Sequence, residues 1–256
     1  MPWNQFRTDQ EGGIVAMNTT ITGGGGDTIH AYIAKPDGAG PYPGVVLTHH
    51  PLGFDEWMRE FTRRFAEHGF MAICPNLFER VGHSTPDEIV AKVREQGGIS
   101  DDSVVADAEA ALNWVKAQPT SNGKVGVIGP CGGGRWAVLS AARVPAFDAV
   151  VNLWGGSVVQ APEQLNEKQP VAPIDLIPQL RAPMLGIFGN EDRNPSPDMV
   201  NQLEAKLQEN GKTYQFHRYD GAGHGIFYYD RPMFYRAQQA MDGWDKVEDF
   251  FNQNLR

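Results

Sequence analysis

The chain is poor in cysteine. Cys74 and Cys131 are the only two, which excludes a disulfide framework and a four-cysteine metal site. Long apolar runs are missing as well, so no segment reads as a membrane span. The opening MPWNQFRTDQEGG has neither the basic start nor the apolar centre of a signal peptide. The expectation is a cytoplasmic protein without a membrane partner. Positive charge is also short: 22 Lys and Arg stand against 31 Asp and Glu, a net charge of -9. Such a chain is repelled by phosphate backbones, so nucleic acid is not an expected partner. The nearest basic group, Arg59, Arg63 and Arg64, is interleaved with Glu60 and Glu67 and reads as the solvated face of a helix. No repeat or low-complexity tract divides the sequence. With 256 residues, 41% of them hydrophobic, it reads as a single domain spanning 1–256.

What is present is strand–helix alternation. GIVAMNTTIT and DTIHAYIAKP flank GGGGD and predict a hairpin. Those glycines lack the following helix and the Gly-Lys-Ser/Thr ending of a phosphate loop. YPGVVLTHH is a continuous apolar run, the pattern of a strand buried on both faces. FDEWMREFTRRFAEHG then places Phe54, Trp57, Phe61 and Phe65 at helical spacing. Strands follow at FMAICPNLF, KVGVIG, FDAVVNLWGG, APMLGIFGN and KTYQFHRYD. Helices follow at SDDSVVADAEAALNWVKAQP, GGRWAVLSAARV, 198–210 and 233–255. The fold class expected is α/β: a mostly parallel sheet, helices on both faces, and an antiparallel N-terminal edge. Residues 156–180 break the alternation and read as an excursion over the sheet. Sites in such folds lie at the carboxyl ends of strands.

Gly129-Pro130-Cys131-Gly132-Gly133 follows KVGVIG. It has the form of a nucleophile elbow with cysteine in the serine slot. A nucleophile on so sharp a turn needs neighbours without side chains two residues away, and the helix that follows favours a thiolate. A glycine-mediated helix–strand contact would account for the same letters. Asp192 follows APMLGIFGN, with Glu191 and Asp198 as rivals, and His224 follows KTYQFHRYD within Gly-Ala-Gly-His-Gly. Nucleophile, acid and histidine, each just past its own strand, stand in the order of an α/β-hydrolase triad. His217 lies inside its strand and Cys74 mid-strand, so both read as packing residues. His49, His50, Pro51, Leu52 and Gly53 follow YPGVVLT. In this fold that loop donates one oxyanion N–H and the residue after the nucleophile donates the other. Pro51 has no N–H, which leaves Leu52 and Gly132. His49 and His50 point to opposite faces of a strand and have no third ligand, so no metal or cofactor is expected. His50 is the one placed to line the pocket.

The sequence resembles the dienelactone hydrolase (carboxymethylenebutenolidase) family. GPCGGG, the block GFDEWMREFTRRFAEHGFMAICPNLFER, GNEDRNP and GAGHGIF carry the resemblance, which runs from about residue 14 to the C-terminus. It implies an α/β-hydrolase fold and a triad of Cys131, His224 and Asp192. Members that open dienelactones are implied to carry a glutamate where this chain has His50, pairing with the cysteine and holding it in check. They are also implied to grip the substrate carboxylate with two arginines. Arg80 matches the first, and Tyr228 stands in place of the second. Hydrolysis of an ester or lactone through a thioester is therefore the expected reaction, while the dienelactone substrate does not carry over. Trp57, Trp154, Phe188, Phe227 and Tyr228 are the expected pocket aromatics, with core packing the competing role, favoured for Phe188. Hydrolysis of a carbon–carbon or carbon–halogen bond, or ligand binding without turnover, remain alternatives.

Overall fold

The computed structural model describes residues 13–256. The reading of an N-terminus without a signal peptide rests on residues that lie almost wholly outside those described. The sheet comprises β1 (Ile14–Thr22), β2 (Thr28–Pro36), β3 (Tyr42–Leu47), β4 (Met71–Pro75), β5 (Ser121–Pro130), β6 (Ala149–Leu153), β7 (Met184–Gly189) and β8 (Tyr214–Tyr219). Their order is β1-β2-β4-β3-β5-β6-β7-β8. The two pairs involving β2 are antiparallel, and every pair from β4 to β8 is parallel. The antiparallel edge and the parallel body are as the alternation predicts.

The central strands are apolar without a break because both their faces are covered. Side chains alternate across a strand. Val46, Val127 and Val150 therefore enter one core, while Val45, Ile128 and Val151 enter the other. The first core is closed by α3 (Asp101–Lys116), α4 (Gly132–Arg143) and α5 (Pro197–Glu209), and the second by α1 (Glu56–Glu67) and α6 (Ala237–Leu255). Trp57, Phe61 and Phe65 form the buried stripe of α1, and Phe65 packs against Phe251 of α6. Each such side chain contributes about 1.5–3 kcal/mol by leaving water.

The helix boundaries differ from the sequence reading in particular places. The helix expected over 198–210 is α5, which starts at Pro197 and is capped by Ser196, its side chain accepting from Met199 N. The C-terminal helix begins at Ala237 rather than at 233, because 224–236 runs through a series of short turns. Pro86–Glu95 forms an unanticipated helix, α2, which buries only Ile89 and starts on a Thr85–Glu88 capping box. Residues 156–180 are irregular apart from short turns at Pro162–Gln164 and Pro173–Gln179, in keeping with an excursion.

Candidate active site

Cys131 stands between β5 and α4 with φ 55 and ψ -125. A non-glycine residue at positive φ is costly, and its neighbours hold it there. A Cβ on Gly129 would fall on the Gly133 carbonyl, and a Cβ on Gly133 would fall on the Thr48 carbonyl. The glycines are thus required by close backbone approach. Thr48 Oγ1 donates to the Gly133 carbonyl at 2.8 Å and pins the start of α4 to the end of β3.

The loops after β7 and β8 bring the other two groups to this elbow. His224 Nδ1 lies 2.7 Å from Asp192 Oδ2, and His224 and Cys131 line the same cavity. With Nδ1 taken by the carboxylate, the second ring nitrogen is the one left free. Asp192 is 7% exposed, and its Oδ1 accepts from Asn194 N at 2.9 Å. Burial alone would pull the His224 imidazolium down. The Asp192 carboxylate and the nearby Cys131 outweigh it and push the pKa up to about 10. The rival acids do not reach the histidine: Glu191 is exposed, and Asp198 sits in the first turn of α5.

A cavity of about 490 Å³ opens on Cys131 and His224. Pro51, Gly132, Trp136, Arg193 and Asn194 line it, and so do Gly156, Ser157 and Gln169, so the 156–180 excursion supplies part of the wall. Arg135 also borders the cavity, but both its terminal nitrogens bond the buried Asp101, at 2.6 and 3.0 Å. Gly132 is the first residue of α4, so its N–H has no intrahelical acceptor. The Leu52 side chain lines a neighbouring cleft of about 160 Å³ with Phe54 and Phe78. Only its backbone remains relevant to an oxyanion.

Several expected pocket residues lie elsewhere. Arg80 does not reach the cavity. Its guanidinium bonds Asp107 at 2.6 and 3.1 Å, Asp27 at 2.7 Å and the Gly24 carbonyl at 2.9 Å. It ties the β1–β2 turn to α3, and the carboxylate-anchor role is corrected accordingly. Trp57, Trp154, Phe227 and Tyr228 are packed together in the second core, against which Cys131 rests, rather than around the cavity. Phe188 is core, against Phe216. Cys74 is fully buried, and burial pushes its thiol well up. His217 is half-buried, and burial lowers its pKa.

His49 and His50 do face opposite ways. His49 Nδ1–H donates to the His50 carbonyl at 2.8 Å, and its Nε2 accepts from Leu77 N at 3.0 Å. Its burial lowers the pKa to about 4, so the ring is a neutral spacer. His50, 1% exposed, has Nδ1 3.0 Å from the Tyr228 hydroxyl and Nε2 2.9 Å from Asp55 Oδ2. The second contact is close but poorly directed for a hydrogen bond. Among the described residues, His30, Glu79 and His83 form a group whose ligand atoms lie within 4.8 Å of one another. None of the three lines the cavity.

Sequence reasoning missed Arg193, Asn194, Ser157 and Gln169 as cavity residues. Arg193 and Asn194 adjoin the acid, a usable signal. Ser157 and Gln169 sit in irregular chain, where no periodicity indicates a direction.

The dienelactone hydrolase family profile matches residues 29–255. A Yersinia pestis protein with the provisional name carboxymethylenebutenolidase is 32% identical over 98% of this chain and 93% of its own length. A Methylorubrum extorquens protein of the same provisional name is 33% identical over 88% of this chain and 77% of its own. Among solved structures, a provisional dienelactone hydrolase from Klebsiella pneumoniae superposes with TM-score 0.86 at 30% identity, covering 94% of this chain and 99% of that one.

Proposed function

The chain belongs to the dienelactone hydrolase family of lactone and ester hydrolases, and from that premise we propose that it works through Cys131, His224 and Asp192 by way of a thioester. The observation that carries this reading is His224 Nδ1 at 2.7 Å from Asp192 Oδ2, with His224, Asp192 and Cys131 lining one cavity.

The proton of Cys131 passes to His224, and Asp192 orients the ring and balances the imidazolium. The thiolate attacks the substrate carbonyl. The oxyanion settles on Gly132 N–H at the head of α4 and on Leu52 N–H, where fixed donors stabilise developing charge. His224 returns its proton to the leaving oxygen, and the carbon–oxygen bond breaks to leave a thioester on Cys131. Water then gives a proton to His224 and adds to the thioester. Collapse expels the thiolate and frees the acid. A thiolate is a good leaving group, so enol esters, strained lactones and thioesters suit this site better than amides.

The acidic end of a substrate, where there is one, falls to Arg193. It is exposed at the cavity wall, whereas Arg135 is neutralised by Asp101 and Arg80 is engaged with Asp27 and Asp107. The test is Cys131→Ala assayed on activated aryl esters. Turnover should disappear while the thermal transition stays within a few degrees of wild type. Full activity in the variant rules the mechanism out.

A further inference from the structure

His30 lies on β2, and Glu79 and His83 lie in the stretch between β4 and α2. The pairing of β2 with β4, Ala31 opposite Pro75, brings them together although 49 residues separate His30 from Glu79. Both histidines meet one oxygen. His30 Nδ1 is 2.9 Å from Glu79 Oε1, and His83 Nε2 is 3.4 Å from the same atom. The two rings stand edge to face with their centres 5.8 Å apart. The other carboxylate oxygen is already committed. Glu79 Oε2 accepts from Asn76 Nδ2 at 3.0 Å and from His30 N at 3.3 Å. Asn76 N donates in turn to the His30 carbonyl at 2.8 Å. Arg80, the neighbouring cation, is engaged by Asp27 and Asp107. The mechanism above uses none of the three side chains.

Ligand atoms bound to zinc at about 2.0–2.1 Å stand about 3.3 Å apart at the tetrahedral angle. The separations of 2.9 and 3.4 Å bracket that value, and one ligand atom from each residue lies within 4.8 Å of the others. Two imidazoles and one carboxylate suit zinc and its transition-metal neighbours, whereas calcium and magnesium take oxygen ligands. A ligating carboxylate is itself hydrogen-bonded in such sites, as Glu79 is by Asn76. His30 would reach the ion through Nδ1 and keep its ring hydrogen on Nε2. His83 would reach it through Nε2 and keep its hydrogen on Nδ1. Gly82, at φ 102 and ψ -177, makes the turn that returns His83 over Glu79, a conformation in which a side chain is strained. Three protein ligands leave a fourth position to water. The side chains of His30 and His83 are 56% and 74% exposed, so an ion arrives without any opening of the fold, and Glu79 at 12% is the inner anchor.

We propose that His30, Glu79 and His83 bind one divalent transition-metal ion such as zinc, and that the ion clamps the chain after β4 onto strand β2. His83 also lines the cleft of about 160 Å³ that it shares with Leu52 and Phe54, so the clamp fixes one rim of that cleft. None of the three ligands lines the cavity at Cys131, and the inference stands apart from the hydrolase reading.

The experiment is a calorimetric titration of the full, tag-free, EDTA-treated chain with zinc chloride, carried out in the Cys131→Ala background so that the thiol does not compete for the ion. One equivalent should bind, and excess magnesium or calcium should not displace it. A residue that only supports a ligand is worth about 10–100-fold in metal affinity, so His30→Ala, Glu79→Gln and His83→Ala should each weaken binding at least about tenfold. His83→Ala truncates an exposed side chain, so its zinc-free melting temperature should match the parent and keep the comparison free of misfolding. Saturating zinc should also slow hydrogen exchange across 79–86 in the parent chain and not in His83→Ala. An affinity unchanged by His30→Ala or His83→Ala, equal competition by magnesium, or no binding up to millimolar zinc overturns the site. Exchange that bound zinc leaves unaltered overturns the clamp. No readout needs turnover, so the outcome is independent of the reaction at Cys131.

Discussion

His224 Nδ1 sits 2.7 Å from Asp192 Oδ2, and the same ring lines the cavity with Cys131. The carboxylate therefore selects the tautomer that leaves a nitrogen free for sulfur. Asp192→Asn keeps the volume but offers the ring an amide that can present either donor or acceptor. The expected result is a fall in kcat on the order of 10³ with little change in KM, together with loss of the raised His224 titration by NMR. Wild-type kcat in the variant would remove Asp192 from the triad.

His49 sets an acid limit on stability. Its folded pKa of about 4 lies below the ordinary 6.5, because burial opposes its charge. The unfolded chain therefore binds the proton first as pH falls. The contribution is fully present above pH 6.5 and is lost progressively as pH falls toward about 4. From pH 7 to pH 5 the loss from this group is about 2 kcal/mol. Urea titrations at both pH values should show it, and His49→Gln should flatten the pH dependence. An unchanged slope in the variant would show that His49 does not set it.

Arg80 and Arg193 should separate cleanly. Arg80→Ala strands Asp107, whose side chain is 1% exposed. Removing one partner of a buried pair costs about 3–5 kcal/mol. The melting temperature should drop while KM for acidic esters holds. Arg193→Ala should raise KM for carboxylate-bearing esters about tenfold, leave neutral esters unchanged, and leave the melting temperature alone. The reverse pattern would restore Arg80 as the anchor.

Gly133→Ala tests the elbow as a packing constraint. Its Cβ would land on the Thr48 carbonyl, a backbone atom that cannot step aside. A loss of about 1–3 kcal/mol in urea unfolding is expected, with activity falling further than stability because Cys131 is displaced. Unaltered stability would mean the glycine is not needed for close approach.

That Cys131, Asp192 and His224 line one cavity was legible in the sequence because each is announced locally. Gly129 and Gly133 bracket Cys131, and Asp192 and His224 each follow an apolar strand at once. The parallel sheet was legible for the same reason, from the unbroken apolar run at β3 and the strand–helix alternation behind it. What was not legible depends on distant partners. Nothing near Arg80 says that Asp27 and Asp107 will occupy its guanidinium, since they come from the β1–β2 turn and α3. Trp57 and Tyr228 have the composition of a pocket wall, and only the seating of α1 shows that they pack on each other in the second core. The α2 helix escaped because it buries a single residue, so its apolar period is faint. Its capping box was the readable signal.

The measurement that bears most directly on the account is the capture of the acyl-enzyme. A slow aryl acetate is mixed with the His224→Gln variant, quenched in acid and digested, and the acetyl group is located by mass spectrometry. The account predicts an acetyl thioester on Cys131, cleaved by neutral hydroxylamine and absent from the Cys131→Ala, His224→Gln double variant. An acetyl group on any other residue, or wild-type turnover by Cys131→Ala, would contradict it.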